Sequence, residues 1–160
     1  MSTIDADSAT SIEAAEPSTI DMALEVVTLP VSDVDRAKRF YLSLGWRFDI
    51  DLVVSDDART VQITPPHSGC SIQFGKGSTA AEPGSAEGLI LAVTDIDAAR
   101  DDLVSRGVDV SEVQEAPPPG FDAPEGERSY FARASFSDPD GNGWQLQEIT
   151  TRLPGREWED

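Results

Sequence analysis

The sequence has very few of the residues that most often build metal and nucleophilic centres. It contains one cysteine, Cys70, and one histidine, His67. A single cysteine rules out an intrachain disulfide and fits a reducing compartment such as the cytoplasm. His67 lies in a Pro-Pro-His-Ser-Gly stretch typical of an exposed turn, so we interpret it as a surface residue rather than an acid or base. Cys70 has no neighbouring histidine or basic helix end, and we do not expect it to be a nucleophile.

Positive charge and long apolar runs are also scarce. The chain has 12 basic and 30 acidic residues, for a net charge of −18. Such a surface repels phosphate backbones and anionic lipids, so we expect neither nucleic-acid nor membrane-surface binding. No apolar run approaches the roughly 18 residues that span a bilayer, and the N-terminus lacks the basic and apolar regions of a secretion signal. We therefore expect a cytoplasmic protein.

What the chain does contain is an internal repeat. The positions Leu29, Val31, Asp33, Asp35 and Gly45 correspond to Leu91, Val93, Asp95, Asp97 and Gly107. Each copy has an apolar strand, an aspartate where a helix should begin, apolar residues at helical spacing, and a glycine where the helix should stop. The aspartates are interpreted as helix-start residues rather than paired catalytic carboxylates. The repeat predicts two copies of one unit, with any site made by both.

Composition and periodicity give the predicted organisation. Residues 1–20 are predicted to be a disordered acidic leader, and residues 21–153 are predicted to form one domain. Within this domain we expect a first module at about 22–75, a linker at 76–87 and a second module at about 88–150. Residues 154–160 are predicted to be a tail, with docking through Leu153 and Trp158. Helices are predicted at 34–44 and 95–107. Strands are predicted at 22–31, 46–54, 59–64, 70–75, 88–93, 108–113, 129–137 and 144–150, with a hairpin turn at 138–143. The Pro-rich segment 114–128 is expected to be a functional or mobile loop.

The repeated Val-Ser-Asp-Val-Asp-Arg-Ala-Lys-Arg-Phe-Tyr pattern and the closing Phe-Ser-Asp-Pro-Asp-Gly-Asn-Gly-Trp-Gln-Leu-Gln-Glu together resemble the vicinal oxygen chelate superfamily over residues 22–153. This group includes glyoxalases, bleomycin-resistance proteins and extradiol dioxygenases. The resemblance implies an α+β fold of two tandem βαβββ modules, whose mixed sheets curl into a ligand cleft with the helices outside. It also implies a homodimer, with modules that pair within a chain or are swapped between chains.

The same resemblance identifies four positions that hold a divalent metal in the metal-dependent members. Here these positions carry Val26, Gln73, Gly88 and Gln145. Two of them have no donor atom, and neutral amides are weak ligands, so we expect no metal at the usual site and predict no cofactor. Glyoxalase isomerisation, thiol transfer to fosfomycin and extradiol cleavage each rely on that metal, so the loss of its ligands argues against all three at the usual site.

Strand alternation selects the candidate ligand-binding residues. Gln73 and Gln145 should lie on the sheet faces opposite those that carry Ile72, Phe74, Trp144 and Leu146. On these faces their amide groups form hydrogen bonds either with a polar ligand or with each other and water. Thr28, Ser71, Ile90 and Gln147 should share their cleft face. Phe121 and Tyr130 could close over a planar ligand or simply pack locally. Arg133, like Arg128, could meet a ligand carboxylate or pair with acids on the surface.

Two functions from different classes follow, and the sequence leaves both open. The first is a non-catalytic binder of a small organic molecule, similar to the antibiotic-sequestering members. The second is an enzyme of lyase, isomerase or dioxygenase type. It would either be metal-free or hold its cation at another place through acids such as Glu148, Glu125 or Glu127. An inert interaction module is a third possibility.

Overall fold

The structure, a computed structural model, describes residues 11–117, 119–120 and 125–156. The first half of the chain contains β1 (Val26–Thr28), α1 (Val34–Ser43), β2 (Arg47–Ser55), β3 (Ala58–Thr64) and β4 (Ser71–Lys76). The second half contains β5 (Leu89–Val93), α2 (Ile96–Ser105), β6 (Arg133–Ser137) and β7 (Gly143–Glu148). Two mixed sheets with two helices confirm the predicted α+β fold.

Each half of the chain builds one sheet. The first sheet has the order β1-β4-β3-β2, in which β1 runs parallel to β4 and the other pairs are antiparallel. The second sheet has the order β5-β7-β6, with β5 parallel to β7 and β6 antiparallel to it. A parallel pair needs a crossover connection, and in each half the helix that follows the first strand lies within that crossover.

The helix boundaries follow the predicted capping residues. The Asp33 side chain accepts a hydrogen bond from the Arg36 backbone N–H, and Asp95 does the same for Ala98. These bonds satisfy backbone N–H groups that have no partner inside the helix. Gly45 and Gly107, just beyond the helix ends, have φ values of 79° and 89°, which glycine adopts without strain. Both predicted helices are therefore confirmed, as is the interpretation of the two capping aspartates.

One hydrophobic core joins the two halves. It includes Tyr41 from α1, Phe74 from β4 and Trp144 from β7, and the rings of Tyr41 and Trp144 lie 6.1 Å apart. A buried polar network crosses the same contact, because Trp144 Nε1 donates to Tyr41 Oη at 2.9 Å and Tyr41 Oη donates to Asp138 Oδ2 at 2.8 Å. Asp138 Oδ1 also accepts backbone N–H bonds from residues 140–142, which shapes the β6–β7 turn. The predicted hairpin is therefore confirmed, and Asp138 has a structural role in it, because its carboxylate accepts the hydrogen bonds of the turn.

Two predicted strands are shorter than predicted, and a third does not form. The predicted strand 22–31 pairs only at Val26–Thr28, and Pro30, which has no N–H to donate, follows its end. The prediction at 108–113 is wrong: Val108 and Val110 are buried in the core, but Ser135 N–H donates to the Ser111 side chain instead of a backbone carbonyl, so no regular ladder forms. The predicted strand 129–137 begins only at Arg133.

Several predicted segments lie partly outside the described residues. Residues 11–25 form neither helix nor strand and are exposed along nearly their whole length. Phe121 and Trp158 are not among the residues that the structure describes. In the described ranges, neither helix is long and apolar enough to cross a membrane.

Candidate functional site

The outer face of each sheet, opposite the helix and the core, carries the predicted ligand-binding residues. On the first sheet, Thr28 is paired with Gln73, Gln73 with Gln62, and Gln62 with Ile50, so these four side chains form one row across the strands. Gln73 Nε2 donates to Thr28 Oγ1 at 2.8 Å. Ile72 and Phe74, on either side of Gln73, are buried in the core, which confirms the predicted alternation.

A carboxylate that the sequence analysis did not select lies beside this row. Asp49 accepts hydrogen bonds from Thr64 Oγ1, from Arg47 Nε at 2.7 Å and from Gln62 Nε2 at 3.3 Å. The hydrogen bond from Arg47 is the main reason that the pKa of Asp49 is lowered, with further help from Thr64 and Gln62. The register of β2 shifts between Phe48 and Ile50, so this β-bulge aims Asp49 at a face that strict alternation would not give it.

The outer face of the second sheet has two matching rows. Ile90, Gln145 and Ser135 are paired in one row, and Ala92, Gln147 and Arg133 in the next. Gln147 Nε2 donates to the Tyr130 carbonyl at 2.9 Å. In contrast, the described residues offer no hydrogen-bond partner to the side chain of Gln145, which is half-buried. A carboxamide left without a protein partner remains available to water or a ligand.

Two cavities adjoin on this face, and together we call them the second-sheet groove. One has a volume of about 360 Å³ and is lined by residues that include Ser111, Gln114, Arg133, Ser135 and Gln145. The other has a volume of about 320 Å³, and its lining includes Ile90, Tyr130, Gln147, Arg152, Leu153 and Arg156. They adjoin because Arg133 of the first is paired with Gln147 of the second, and Gln145 with Ile90.

Tyr130 is held in this groove by an unusual backbone. Its φ of 70° lies in the left-handed region, which a large side chain rarely occupies. The conformation is held because Tyr130 N–H donates to the Glu148 carbonyl at 2.7 Å, and because Leu153 N–H donates to Tyr130 Oη at 3.2 Å. Backbone strain of this kind often accompanies a binding site. The contact also places the described end of the chain against the groove.

The structure therefore divides the predicted site residues into two groups. Ile90, Arg133, Gln145 and Gln147 are on the second sheet with Tyr130 beside them, whereas Thr28, Ser71 and Gln73 are on the first. Ser71 and Ile90 do come together across the two sheets, because both line a further cavity of about 260 Å³. Among the described residues, no outlined cavity contains both Gln73 and Gln145. Gln73 is bonded to Thr28 rather than to Gln145. That the two carboxamides share one cleft stays a prediction, and Phe121 lies outside the described residues.

The residues that the sequence analysis set aside have structural roles. His67 is exposed in a turn, as predicted. Burial raises the pKa of the Cys70 thiol, and the nearby Glu25 carboxylate adds to the shift, so the thiolate is disfavoured. Arg128 forms surface ion pairs with Asp97 at 3.0 Å and Glu115 at 3.1 Å, which is the alternative to ligand binding given above.

The acids considered for a displaced cation site do not come together. Glu148 is buried on the helix side of β7, where its Oε1 accepts a hydrogen bond from Ile96 N–H at the start of α2. Glu127 Oε1 accepts a bond from Ser129 N–H, and Glu125 is exposed. Across the part of the chain that the structure describes, no group of three or more His, Cys, Asp or Glu side chains could hold a metal ion.

The usual metal positions of the resembled superfamily do not fit a metal either. Val26 and Gly88 offer no donor atom, and Gln73 and Gln145 offer only neutral amides, which compete poorly with water for a divalent ion. Gly88 has a φ of 76°, a backbone conformation that other residues rarely adopt. The donor set therefore does not match a Zn, Ni, Mn or Fe centre.

Comparisons with known proteins agree with this geometry. Residues 23–146 match the family described as the Glyoxalase/Bleomycin resistance protein/Dioxygenase superfamily. TnmS3, an antibiotic binding protein from Streptomyces sp. CB03234, is 29% identical, with 84% of this chain and 100% of that chain covered and a TM-score of 0.66. A glyoxalase/bleomycin resistance protein from the same Streptomyces is 30% identical over 78% of this chain and 99% of that one, with a TM-score of 0.61.

A third solved structure extends the likeness to another organism. A member of the same superfamily from Sphaerobacter thermophilus DSM 20745 is 30% identical, with 80% of this chain and 98% of that chain covered and a TM-score of 0.62. A search of curated proteins gave no match. The chain belongs to the Glyoxalase/Bleomycin resistance protein/Dioxygenase superfamily, as the sequence motifs indicated.

Proposed function

We propose that this protein binds a small organic molecule on the outer faces of its sheets and does so without a divalent metal. The observation that carries the proposal is the placement of glutamine. The chain has five glutamines, Gln62, Gln73, Gln114, Gln145 and Gln147. Gln62 and Gln73 lie on the outer face of the first sheet, and the other three line the second-sheet groove. Carboxamides supply donors and acceptors without charge, which suits a polar but neutral contact with a ligand.

The chemistry of these faces favours binding over catalysis. The cavities fall within the range of about 300–1,000 Å³ that is usual for ligand sites, and they mix apolar side chains with a few polar groups. The thiol of Cys70 is disfavoured as a thiolate, and His67 is exposed in a turn. TnmS3, which has the same fold and is 29% identical, is an antibiotic binding protein. We propose the same kind of role here, in which an antibiotic-like compound is sequestered and not converted.

A second copy of the chain completes the proposed site. Ile50, Leu52 and Ile90 lie on the outer faces with 45%, 54% and 55% of their surfaces exposed. They are on β2 and β5, which are edge strands of their sheets, and exposed apolar side chains grouped in this way suit contact with another apolar surface. We propose a homodimer in which these faces meet and enclose the ligand, and we assign it to the cytoplasm because its single thiol suits a reducing compartment.

Thermal unfolding with a panel of aromatic antibiotics tests the proposal. A true ligand at one hundred times its dissociation constant stabilises the protein by about 2.7 kcal/mol. We expect Gln145→Ala to weaken this stabilisation, whereas Glu82→Ala, in an exposed segment away from both faces, should leave it unchanged. EDTA treatment should not alter binding. Loss of binding with EDTA, or a stoichiometric cation in the purified protein, would contradict a metal-free site.

The oligomeric state is tested separately by light scattering after gel filtration. We expect a dimer, and we expect Leu52→Glu to shift it toward the monomer because a carboxylate would then have to be buried in the contact. A control substitution, Asp101→Glu on the exposed surface of α2, should leave the dimer intact. A wild-type monomer at micromolar concentration would contradict the enclosed site.

A further inference from the structure

The second-sheet groove has a charge opposite to that of the rest of the molecule. The chain carries 30 acidic and 12 basic residues. Nevertheless Arg133, Arg152 and Arg156 line the groove, and among the residues that the structure describes neither of its two cavities is lined by an aspartate or a glutamate. In a chain with this excess of acid, the described part of the lining, with arginine and no carboxylate, is a local reversal of charge.

Arg133 is the central cation of the groove and differs from most other basic residues of the chain. Seven basic side chains outside the groove lie within 4.0 Å of a carboxylate: Arg36, Lys38, Arg47, Arg59, Arg100, Arg106 and Arg128. The half-buried Arg133 side chain has neither an ion pair nor a hydrogen bond with any residue that the structure describes. Its guanidinium group therefore keeps its planar set of donors available.

The neighbours of Arg133 add donors without adding charge. Gln145, on the adjacent strand, also has no side-chain partner among the described residues, and Ser135 is paired with it in the same row. Beyond these polar groups, the second cavity presents Ile90 and Leu153, which are both largely exposed, and the ring of Tyr130. The groove thus has a cationic end and an apolar end.

We propose that the groove recognises the oxyanion of an amphipathic ligand, with Arg133 and Gln145 binding a carboxylate or phosphate group while Ile90, Tyr130 and Leu153 contact the apolar body. A guanidinium fork matches the two oxygens of such a group and forms charge-assisted hydrogen bonds with them. The negative charge of the whole chain does not prevent this, because charges more than about 8 Å away are largely screened at physiological salt. This inference rests on the proposed function and names its ligand class.

Two fluorescent probes that differ in one group test the proposal on the full-length protein. Pyrenebutyrate and pyrenebutanol share their ring and linker, but only the first carries a carboxylate. We expect anisotropy titrations at pH 7 and 150 mM salt to give the butyrate at least tenfold tighter binding, which corresponds to about 1.4 kcal/mol. Benzoate and phenyl phosphate, added as competitors, then show which oxyanion the groove prefers.

Substitutions locate the effect at Arg133. We expect Arg133→Gln to bring the two probes within twofold of each other and Arg133→Lys to give an intermediate preference, since lysine keeps the charge but not the planar fork. Arg39→Gln makes the same change in net charge on the exposed surface of α1, outside the groove, and should keep the full preference. Circular dichroism of each variant shows whether the fold is intact. If Arg133→Gln does not fold, the proposal is tested by the preference of Arg133→Lys and by the difference between the two probes on the wild type.

The possible failures are distinguishable. If both probes bind the wild type with equal affinity, the oxyanion proposal is overturned while small-molecule binding stands. If Arg39→Gln reduces the preference as much as Arg133→Gln does, the effect is one of net charge and the groove is not its source. If neither probe binds at millimolar concentration, the oxyanion proposal fails and the proposed function loses its support at this face.

Discussion

Removal of one buried hydroxyl tests the account of how the two halves are held together. Tyr41→Phe keeps the ring in the core but deletes the oxygen that donates to Asp138 at 2.8 Å and accepts from Trp144 Nε1 at 2.9 Å. Tyr41 is fully buried, so water does not replace the lost group without a rearrangement. The substitution leaves an indole N–H without a partner and a carboxylate with one donor fewer.

The expected cost follows from these two losses. A hydrogen bond to a charged group contributes about 1.5–3 kcal/mol, and an unsatisfied buried donor costs about 1–3 kcal/mol. Because the remaining donors to Asp138 are intact and the ring still fills its space, we expect a loss of about 3 kcal/mol in the free energy of unfolding. Urea denaturation at pH 7, followed by tryptophan fluorescence, measures it.

The pH dependence provides a second, independent readout. Burial, reinforced by the charge of Asp138, raises the pKa of Tyr41 far above the ordinary value of about 10 for the unfolded chain. The contribution of the protonated Tyr41 hydroxyl to the free energy of unfolding is therefore complete below about pH 10. It is lost progressively above that pH, because the unfolded chain releases this proton at a lower pH than the folded protein does. The loss from this group is at most about 1.4 kcal/mol per pH unit. Tyr41→Phe should lack this component of the alkaline slope.

Tyr130→Phe is the matched control, since its hydroxyl is only half-buried and accepts a single bond from Leu153 N–H at 3.2 Å. We expect it to cost less than about 1 kcal/mol. A cost for Tyr41→Phe below about 1 kcal/mol, or an alkaline slope equal to that of the wild type, would refute the reasoning about the buried network.

Three further perturbations address other parts of the fold. Hydrogen bonds from Arg59 and Lys38 hold the pKa of Asp51 well below its usual range, so Asp51→Asn should lower the free energy of unfolding by about 1–2 kcal/mol at pH 7. This difference in stability from the wild type should shrink as the pH falls below about 4, because the wild-type carboxylate is then protonated. Urea denaturation at a series of pH values between 7 and 2 measures it. A Cβ at Gly75 would lie 1.7 Å from the Arg59 carbonyl oxygen, so Gly75→Ala should cost about 3 kcal/mol in thermal unfolding, whereas Gly69→Ala, with nothing within 4 Å, should change stability by less than about 0.5 kcal/mol. Asp95→Ala removes the N-cap of α2 and should cost about 1 kcal/mol in the same assay, and no change would show that the cap is not needed.

The fold was largely predictable because its signals are local. Asp33 and Asp95 mark helix starts, Gly45 and Gly107 mark helix ends, and the Pro-Asp-Gly-Asn sequence marks a hairpin; each acts through backbone groups within a few residues. The strand at 108–113 was not predictable in the same way. Its apolar residues, Val108 and Val110, are buried as a strand pattern implies, but a side-chain bond between Ser111 and Ser135 replaces part of the ladder.

The sequence predicted which side chains share a face of each sheet, but it did not predict the complete set of residues around the candidate site. Alternation placed Gln145, Gln147 and Ile90 on one face because strand side chains point alternately to opposite sides. The same rule missed Asp49, since a β-bulge breaks the alternation in β2. No sequence signal distinguishes a paired arginine from an unpaired one, so the difference between Arg128 and Arg133 required the three-dimensional arrangement.

The left-handed backbone at Gly88 bears on how readily such a protein could evolve into a metalloenzyme. At Val26, Gln73 and Gln145, exchange of a side chain would be enough to introduce an imidazole or carboxylate. At Gly88 a backbone cost is added, because a residue with a Cβ at φ 76° is destabilised by about 1–2 kcal/mol. An evolutionary path to four ligands at these positions would therefore pass through a destabilised intermediate in the second half of the chain, whereas the first half could acquire two donors without this backbone penalty.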